Sequence, residues 1–350
     1  MRCSVVILNW NGERVLREFL PSVLACTQAE DTEVVVVDNG STDNSVAYLQ
    51  EIADTPDAVA AHFRIVSYET NYGFAAGYNK AIASISSTYT VLLNSDVFVT
   101  PNWLEPILDY MDAHSDVSAA QPKILSYQSW LNHRTDAALP ITFEHAGAAG
   151  GYIDKLGYPY CRGRIMSYVA QDNGQYDTIA DIFWASGAAL FVRTNIYMQA
   201  GGLDPDFFAH MEEIDFCWRL NCRGNRIVCI PQSKVYHLGG GSLPYNNPRK
   251  TYLNFRNNLY MLYKNLPSSR MHRVLFYRFF LDYIAAFHEL IKLDFPNFRA
   301  IIRARIDFLR TRRTFAQKRA ENMTLSTIAY PSSISERSII FDYFLRGKRE

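Results

Sequence analysis

Short hydrophobic runs alternate with amphipathic stretches over the first hundred residues of the chain. The run at residues 33–38 reads EVVVVD, which is typical of a strand buried on both faces of a parallel sheet. In residues 14–24 the apolar positions recur every three or four residues, which predicts a helix with one buried face. The alternation therefore predicts an open, doubly wound α/β sheet. Strands are predicted at residues 4–8, 33–38, 64–68 and 90–94, and helices at residues 14–24, 45–52, 77–85 and 101–111.

A polar turn follows each of these four predicted strands, at residues 9–11, 38–44, 71–79 and 94–96. The carboxyl ends of parallel strands meet at one edge of a sheet, where α/β proteins bind their ligands. Four polar turns on that edge predict a binding site. Any one of them alone is explained as well by side chains that cap the next helix.

The composition indicates a large packed domain and a second region of different character. Of the 350 residues 48% are hydrophobic and 14% aromatic, which excludes a disordered chain. The 35 Lys and Arg balance 35 Asp and Glu, but residues 1–240 carry a net charge of −12 and residues 241–350 one of +12. We therefore expect a core domain at residues 1–242 and a basic, mainly helical region at residues 243–350.

The basic region is predicted to form helices at residues 252–265, 271–293 and 298–319. The third helix carries eight Lys or Arg and one acid among apolar residues. This pattern suits a helix on an anionic membrane surface, and it equally suits a cap on the core with its arginines in water. Nucleic acid is not an expected partner, because residues 1–240 are acidic. Residues 274–293 contain too many charged side chains to span a membrane.

Several common kinds of active site are excluded by motifs that the sequence lacks. It has no GxxxxGK[ST] phosphate loop and no GxGxxG after a strand, and it lacks GxSxG and HExxH. A nucleotide diphosphate would then be neutralised most simply by a divalent cation on a carboxylate. The six cysteines show no CxxC pair and the first apolar run is too short for a signal peptide, so a cytoplasmic protein with reduced thiols is expected.

Seven segments, in order, resemble one enzyme family. The chain resembles the inverting glycosyltransferases of family 2, with a GT-A fold (a Rossmann-like, doubly wound mixed sheet), most of all the bacterial rhamnosyltransferase-like members of cell-surface polysaccharide synthesis. The resemblance implies a nucleotide-diphosphate sugar donor (dTDP-rhamnose or a UDP-hexose) and a glycan or lipid-linked acceptor. Such an acceptor implies attachment to the inner face of the cytoplasmic membrane. The segments are VVILNWNG (5–12), VVVVDNGSTDNS (34–45), NYGFAAGYNKAI (71–82), VLLNSDVFV (91–99), FWASGAALFVR (183–193), GGLDPDFFAHMEEIDFCWRL (201–220) and VYHLGGGS (235–242).

The resemblance implies that the nucleotide lies on the first three polar turns. Asp38 would accept hydrogen bonds from the base or ribose, and the alternative is that it caps its own loop. The other expected donor-binding residues either line the base pocket, allow close backbone approach, or bond the ribose or nearby backbone. They are Asn9, Asn11, Asn71, Gly73, Gly77 and Asn79.

The family's DxD motif corresponds to Asn94-Ser95-Asp96, where the first acid is replaced by an amide. Asp96 is the expected ligand of Mg²⁺ or Mn²⁺, hard ions that prefer oxygen, and Asn94 is expected to bond the ribose. A histidine in the position of His237 completes the metal shell in related enzymes. A lone histidine is otherwise most often a packed or solvent-facing residue.

The acceptor hydroxyl needs a base, and the segment MEEIDFCWRL offers three acids. Glu213 matches the base of the family's ED pattern and Asp215 is the second candidate, while Glu212 is assigned to the acceptor pocket. The alternative is a solvated helix start that favours acids through its dipole. Trp184, Ser186 and Gly187 resemble the pocket-forming segment, although Trp184 fits the core equally well. A non-catalytic carbohydrate-binding relic and a metal-dependent nucleotidyltransferase are the alternative functions.

Overall fold

The computed structural model describes residues 1–239 and 247–348, and within this part nine strands form a mixed sheet and five strands form a smaller one. The strands are β1 (Cys3–Asn9), β2 (Thr32–Asp38), β3 (Arg64–Ser67), β4 (Tyr89–Leu93), β5 (Val97–Val99), β6 (Val117–Ser126), β7 (Gly151–Asp154), β8 (Pro159–Cys161), β9 (Arg164–Ile165), β10 (Tyr168–Val169), β11 (Ala180–Asp181), β12 (Ala189–Arg193), β13 (Arg226–His237) and β14 (Ile334–Ser335). The large sheet has the order β11-β13-β6-β12-β4-β1-β2-β3, with β5 paired to β13.

Helices cover both faces of the large sheet and continue into the C-terminal region. They are α1 (Glu13–Ala25), α2 (Ser45–Ile52), α3 (Pro56–Ala60), α4 (Phe74–Ile82), α5 (Glu105–Ala113), α6 (Tyr127–Thr135), α7 (Thr194–Gln199), α8 (Glu212–Cys222), α9 (Pro248–Asn265), α10 (Ser268–Ile291), α11 (Phe295–Thr311), α12 (Ala316–Leu325) and α13 (Ile339–Arg346). The α/β architecture predicted from the sequence is confirmed.

The valines of β2 show why the hydrophobic run forms a central strand. Val34 and Val36 point into one buried cluster, and Val35 and Val37 into the cluster on the other face of the sheet. Successive side chains of a strand alternate between faces, so a strand covered on both sides must be apolar throughout.

Strand register brings the polar turns together. β1 pairs in parallel with β2 and with β4, and Asn9 lies opposite Asp38 at the carboxyl ends of β1 and β2. β12 runs antiparallel between β4 and β6, which makes the sheet mixed. The first three polar turns and the turn after β4 therefore lie on one edge of the sheet, as predicted.

Five helix starts differ from the prediction by three or four residues. Helices α9, α10 and α11 each begin earlier than predicted, and the backbone explains the starts of α4 and α5. α4 begins at Phe74, because Gly73 adopts a φ of +78° and starts the helix three residues before the predicted position. α5 begins at Glu105 instead of residue 101, because Asn102 has a φ of +61° and interrupts any earlier helical turn.

The C-terminal region packs as a helical layer and returns to the core. β14 pairs in parallel with β7, so this region adds a strand to the smaller sheet. The continuous helix expected at residues 298–319 is divided by a 3₁₀ turn at Arg312–Phe315, where the ring of Phe315 packs 4.3 Å from that of Tyr260. The expected boundary at residue 242 falls within residues 240–246, outside the described part of the chain.

Candidate active site

The turn after β1 is tied to the turn after β2 by side-chain hydrogen bonds. Asn9 Nδ2 donates to Asp38 Oδ1 at 3.1 Å and to Ser41 Oγ at 3.2 Å. Asp38 Oδ2 accepts from the Ser41 amide at 3.0 Å, so this carboxylate does cap its own loop. Asn9 and Asp38 are both buried, and the Asn9 Oδ1 atom has no hydrogen-bond partner among the described residues. The pair forms a fixed polar floor at the sheet edge.

Asn11 holds the same loop from its outer side. Its φ is +50°, and its side-chain Oδ1 accepts a hydrogen bond from the backbone amide of Thr42 at 2.7 Å. The backbone amide of Asn11 donates to Ser41 Oγ at 2.9 Å. The neighbouring Trp10 is 56% exposed, so a flat aromatic ring stands at the rim beside Asn9 and Asn11. Sequence reasoning did not single out Trp10, although a tryptophan between two asparagines after a strand was a visible signal.

The third polar turn is fixed by asparagines bonding backbone groups. Asn71 Oδ1 accepts from Asn39 Nδ2 at 3.0 Å and from the Gly73 amide at 2.7 Å. A Cβ on Gly73 would lie 3.5 Å from the ring of Phe208, and a Cβ on Gly77 would lie 2.9 Å from Leu8. Both glycines therefore permit close packing at this edge.

Asn79 is turned away from the sheet edge. Its Oδ1 accepts from Tyr197 Oη at 2.6 Å and from the Leu203 amide at 2.9 Å, and its Nδ2 donates to the Leu203 carbonyl at 2.7 Å. Asn79 was expected to bond either the ribose or nearby backbone, and in the structure its side chain bonds the backbone of Leu203. Its side chain holds the loop before α8.

Asp96 and His237 meet although 141 positions separate them. The antiparallel pairing of β5 with β13 sets His237 opposite Val97, next to Asp96. His237 Nε2 lies 3.0 Å from Asp96 Oδ1, and both side chains are about nine-tenths buried. Asn94 lies at the same turn, where its backbone amide donates to the Ala188 carbonyl at 3.0 Å. Gly240, Gly241 and Ser242 of the VYHLGGGS segment lie outside the described residues.

Glu144 is a third member of this cluster, and sequence reasoning missed it. Its Oε2 lies 3.4 Å from His237 Nδ1 and accepts a hydrogen bond from the Ala146 amide. The only signal was an acid followed by a histidine and a run of small residues, in a stretch with no readable periodicity. No spacing rule connects Glu144 to His237, because the contact depends on how residues 143–144 lie along β6.

The electrostatics of the cluster are dominated by His237 between two carboxylates. Burial alone would lower the pKa of His237, but Asp96 and Glu144 outweigh it and raise that pKa far above its usual value. Burial would raise the pKa of Asp96 and of Glu144, yet the His237 charge lowers both below their usual range. The three groups therefore form a buried, mutually stabilised set.

The cluster has the chemistry of a divalent cation site. Asp96 offers a hard oxygen, and His237 would offer Nε2 once an ion displaces the proton that its raised pKa favours, while Glu144 faces Nδ1, as carboxylates do behind metal-ligating histidines. Among the described residues no set of three or more His, Cys, Asp or Glu is arranged around a metal position. The donor set fits an ion held by two side chains, Asp96 and His237.

Glu213 lies on α8 beside the loop that follows β11. A Cβ on Gly187 would lie 3.8 Å from Cβ and Cγ of Glu213 and 3.8 Å from the ring of Phe74, so Gly187 lies beside the aliphatic stem of this side chain. Glu213 Oε2 has no hydrogen-bond partner within the described part of the chain. Burial raises the pKa of Glu213 to about 7. A carboxylate in this state is suited to accept a proton near neutral pH.

The other two acids of α8 are in different environments. Burial, followed by the Glu213 charge, raises the pKa of Glu212 well above its usual value. Asp215 is completely buried and accepts from Lys264 Nζ at 2.8 Å, Arg219 Nε at 3.1 Å and Asn265 Nδ2 at 2.8 Å. Asp215 therefore joins α8 to α9, and this favours Glu213 over Asp215 as the base.

The small residues 185–187, which follow Trp184, lie between Glu213 and the Asp96–His237–Glu144 cluster. Ser186 Oγ donates to the Ala146 carbonyl at 2.8 Å, next to Glu144, and Gly187 faces Glu213. Trp184 is buried, its Nε1 donates to the Tyr152 carbonyl at 2.8 Å, and its ring covers Gly151. Of its two expected roles, Trp184 has the core one and presents no face to a sugar.

The comparisons with known proteins agree with this arrangement. Residues 4–171 match the model of glycosyl transferase family 2. The chain is 28% identical to an uncharacterized glycosyltransferase of Haemophilus influenzae over 33% of its own length and 34% of the relative's. It is 24% identical to the N-acetylglucosaminyl-diphospho-decaprenol L-rhamnosyltransferase of Mycobacterium tuberculosis over 67% of its own length and 75% of the relative's.

The fold is shared with solved structures at low sequence identity. The crystal structure of GalNAc-T7 with UDP, GalNAc and Mn²⁺ superposes with a TM-score of 0.55 at 16% identity, covering 77% of this chain and 48% of that one. At such identity the likeness concerns the fold alone. The family match and the shared architecture confirm the resemblance drawn from the seven sequence segments. Residues 4–171 therefore belong to glycosyl transferase family 2, and the chain has a GT-A fold.

Proposed function

We propose that this protein transfers a sugar from a nucleotide-diphosphate sugar to a hydroxyl group of a glycan or lipid-linked acceptor, with inversion at the anomeric carbon. The observation that carries the proposal is the position of Glu213. Its Oε2 atom has no hydrogen-bond partner among the described residues, and Gly187, Ser186 and Ala146 lie between Glu213 and the Asp96–His237–Glu144 cluster. A base and a diphosphate site on one rim are what direct displacement at a sugar carbon requires.

In this proposal the donor lies over the edge formed by the first three polar turns. Asp38, held by Asn9, faces the base or ribose, and the exposed ring of Trp10 is available for stacking on the base. Asn11, Asn71, Gly73 and Gly77 shape the loops on either side, and Asn94 bonds the ribose. Asp96 and His237 would hold Mg²⁺ or Mn²⁺. When bound, such an ion supplies Lewis-acid stabilisation of the charge that develops on the departing diphosphate.

Glu213 then acts on the acceptor. The acceptor hydroxyl gives its proton to Glu213 as its oxygen forms the bond to the anomeric carbon, and the bond from that carbon to the diphosphate oxygen breaks. Attack from the face opposite the leaving group inverts the configuration. Burial and the Glu213 charge raise the pKa of Glu212, which disfavours a second negative charge beside Glu213.

The acceptor proposal is supported by a basic groove of about 640 Å³ next to the donor loop. The groove begins at Phe208, beside Gly73, and four arginines line it, of which Arg303 pairs with Asp307 at 3.5 Å. Guanidinium groups bind phosphate oxygens in bidentate geometry, so the groove suits the diphosphate of a lipid-linked glycan. The arginines are Arg249, Arg256, Arg299 and Arg303.

The substrates are proposed from the relatives. The Mycobacterium tuberculosis relative is named as a rhamnosyltransferase acting on a decaprenol-linked diphosphate sugar, which favours dTDP-rhamnose and a lipid-linked acceptor here. The UDP in the GalNAc-T7 structure keeps a UDP-hexose as the second donor. Such chemistry belongs to cell-surface polysaccharide synthesis on the cytoplasmic side of a membrane. Across the described residues we find no helix with the length and hydropathy needed to cross a bilayer.

A donor panel tests the proposal. The melting temperature is measured with dTDP-rhamnose, UDP-glucose, UDP-N-acetylglucosamine and GDP-mannose, each with and without Mn²⁺, and the stabilising donor is then incubated with a short-chain prenyl-diphospho-N-acetylglucosamine. We expect a metal-dependent shift with one donor and a product whose new linkage has the inverted configuration by NMR. Stabilisation by nucleoside triphosphates with pyrophosphate release would replace the proposal with nucleotidyl transfer. Donor binding without any transfer would leave only a carbohydrate-binding role.

A further inference from the structure

The solvent-facing side of α10 is lined with large apolar side chains. They recur at the three- and four-residue spacing of one helical face, and Phe276, Ile284 and Ile291 are each more than 60% exposed. Half-exposed residues of this size leave roughly 80–100 Å² of apolar surface each, so the face totals about 700 Å², above the few hundred Å² usual for soluble monomers. The face, called the α10 aromatic face below, consists of Phe276, Tyr277, Phe279, Phe280, Tyr283, Ile284, Phe287 and Ile291.

The opposite side of α10, which packs on the protein, carries buried charges. Arg278 Nε lies 3.1 Å from Asp282 Oδ1, and Arg305 of α11 reaches Asp282 Oδ2 at 2.6 Å. All three side chains are almost completely buried. A helix of a water-soluble layer normally buries its apolar stripe and exposes its charges. The arrangement in α10 is the reverse, which points to a partner that is more apolar than water.

A basic groove of about 700 Å³ runs beside this face, between α10 and α13. Arg270 and Arg346 in its wall pair with acids, at 3.2 Å and 2.9 Å. Lys155, Arg273 and Arg337 also line the groove, and none of these three has a carboxylate within 4.0 Å in the described part of the chain. The groove therefore has three uncompensated positive charges at the margin of an apolar surface.

Helix α13 extends the apolar surface across the groove. Phe341, Phe344 and Leu345 are each more than half exposed, and Phe341 also lines the groove. Two apolar helices lie on either side of the groove cations. At a bilayer interface the apolar side chains would contact acyl chains, and the cations would contact anionic headgroups.

We propose that the α10 aromatic face and the apolar side of α13 insert into the interfacial layer of a membrane with anionic lipids, and that Lys155, Arg273 and Arg337 contact lipid phosphates. The helix lies in the plane of the interface, because its buried Arg278–Asp282 pair is incompatible with crossing the hydrocarbon core. This moves the membrane contact from the helix expected at residues 298–319 to α10 and α13. In α11, Ile301, Ala304 and Phe308 are buried against the core, and Arg305 is paired.

Charge distinguishes a bilayer from a second copy of the chain as the occupant. In a two-fold dimer this surface would pack on its own copy, and the α10 aromatic face contains no acid to pair with the groove cations of the partner. Like charges placed together disfavour association, whereas an anionic lipid surface complements them. Membrane binding requires no sugar transfer, so the two proposals fail independently.

Flotation with vesicles tests the proposal on the full chain. The wild-type protein is mixed at 100 mM salt with vesicles of phosphatidylcholine containing 30% phosphatidylglycerol, and with vesicles of phosphatidylcholine alone. We expect the anionic vesicles to bind at least tenfold more protein. The triple variant F280Q/I284Q/F287Q should bind at least tenfold less, and R273E/R337E should lose the preference for anionic lipid.

Matched substitutions on α11 provide the control. Ile306 and Leu309 are also exposed, so I306Q/L309Q should bind within twofold of wild type, and circular dichroism should show all variants folded. Loss of binding in I306Q/L309Q with retention in the α10 variant would overturn the proposal in favour of α11. So would absence of wild-type binding to anionic vesicles. A lipid-free dimer by analytical ultracentrifugation that the triple variant converts to a monomer would assign the face to a second copy.

Discussion

On the side of α8 that faces the sheet edge, Glu213 lies beside Gly187 with one oxygen that no described residue hydrogen-bonds. Two positions further along, on the side that faces the C-terminal helices, Asp215 has three hydrogen-bond donors and no exposure. Two acids on the same turn of α8 therefore have different environments. Glu213 keeps an oxygen without a hydrogen-bond donor among the described residues, whereas Asp215 is paired with Lys264 and Arg219. The comparison teaches that partners, and not the position in a motif, decide what an acid does.

The largest effect is expected on the open side. Glu213→Gln keeps the shape of the side chain but cannot accept the acceptor proton, so turnover should fall by about 10²- to 10⁴-fold, the usual contribution of a general base. Donor binding by calorimetry should change less than threefold. Glu30→Gln, in the exposed turn before β2, is the matched control and should keep full turnover. Full activity in the Glu213 variant would remove the base from the proposal.

The paired side should respond in stability. Asp215→Asn leaves Lys264 and Arg219 without one of their buried counter-charges, and breaking such a pair costs about 3 kcal/mol. Urea unfolding should show this loss, whereas Glu213→Gln should be at least as stable as wild type, because burial disfavours the charged form of Glu213 and the substitution removes that charge. Equal stability of the Asp215 variant and wild type would contradict the role assigned to the α8–α9 junction.

The metal cluster offers a third test of the same principle. Glu144→Gln should weaken Mn²⁺ binding in the presence of nucleotide by about 10- to 100-fold, the effect typical of losing the carboxylate behind a ligating histidine. Isothermal titration with Mn²⁺ measures it. Glu321→Gln on exposed α12 is the control, and its Mn²⁺ affinity should equal that of wild type. An unchanged Mn²⁺ affinity in the Glu144 variant would show that the carboxylate beside His237 Nδ1 does not contribute to metal binding.

The smallest effect is expected from pH. Because burial raises the pKa of Glu213 to about 7, the base is half-protonated at that pH and is lost as the pH falls. Turnover at saturating donor should therefore rise between pH 6 and pH 8, falling by about tenfold per unit on the acid side well below 7. Initial rates across this range measure the profile. A profile that is flat between pH 5.5 and 8 would contradict an ionisable base with this pKa.

The sequence predicted the N-terminal half of the fold well, because its signals are local. A run such as residues 33–38 can only be a strand covered on both faces, and the polar turns follow directly from strand ends. The pairing of Asp96 with His237 was predicted by family resemblance. Its physical basis, the register of β5 against β13, could not be read from spacing.

The C-terminal layer was harder to predict, because α10 carries charged side chains on its buried face, where the amphipathic pattern predicts apolar ones. Arg278 and Asp282 counted against a membrane helix in the sequence, since they interrupt an apolar stretch. In the structure they pair inside and leave the aromatic residues outside. The buried position of these charges depends on Arg305 of α11, which pairs with Asp282. Glu144 and Lys264 were missed for the same reason, because their partners are distant in sequence.

The most direct test of the account concerns Asp96, on which the donor site depends. Mn²⁺ binding is followed by electron paramagnetic resonance with UDP or dTDP present, in wild type, in Asp96→Ala and in Asp54→Ala, an exposed aspartate far along the chain from the polar turns after β1 and β4. The account predicts nucleotide-dependent binding in wild type and Asp54→Ala, and at least a tenfold loss in Asp96→Ala. Equal Mn²⁺ affinity in wild type and Asp96→Ala would contradict it.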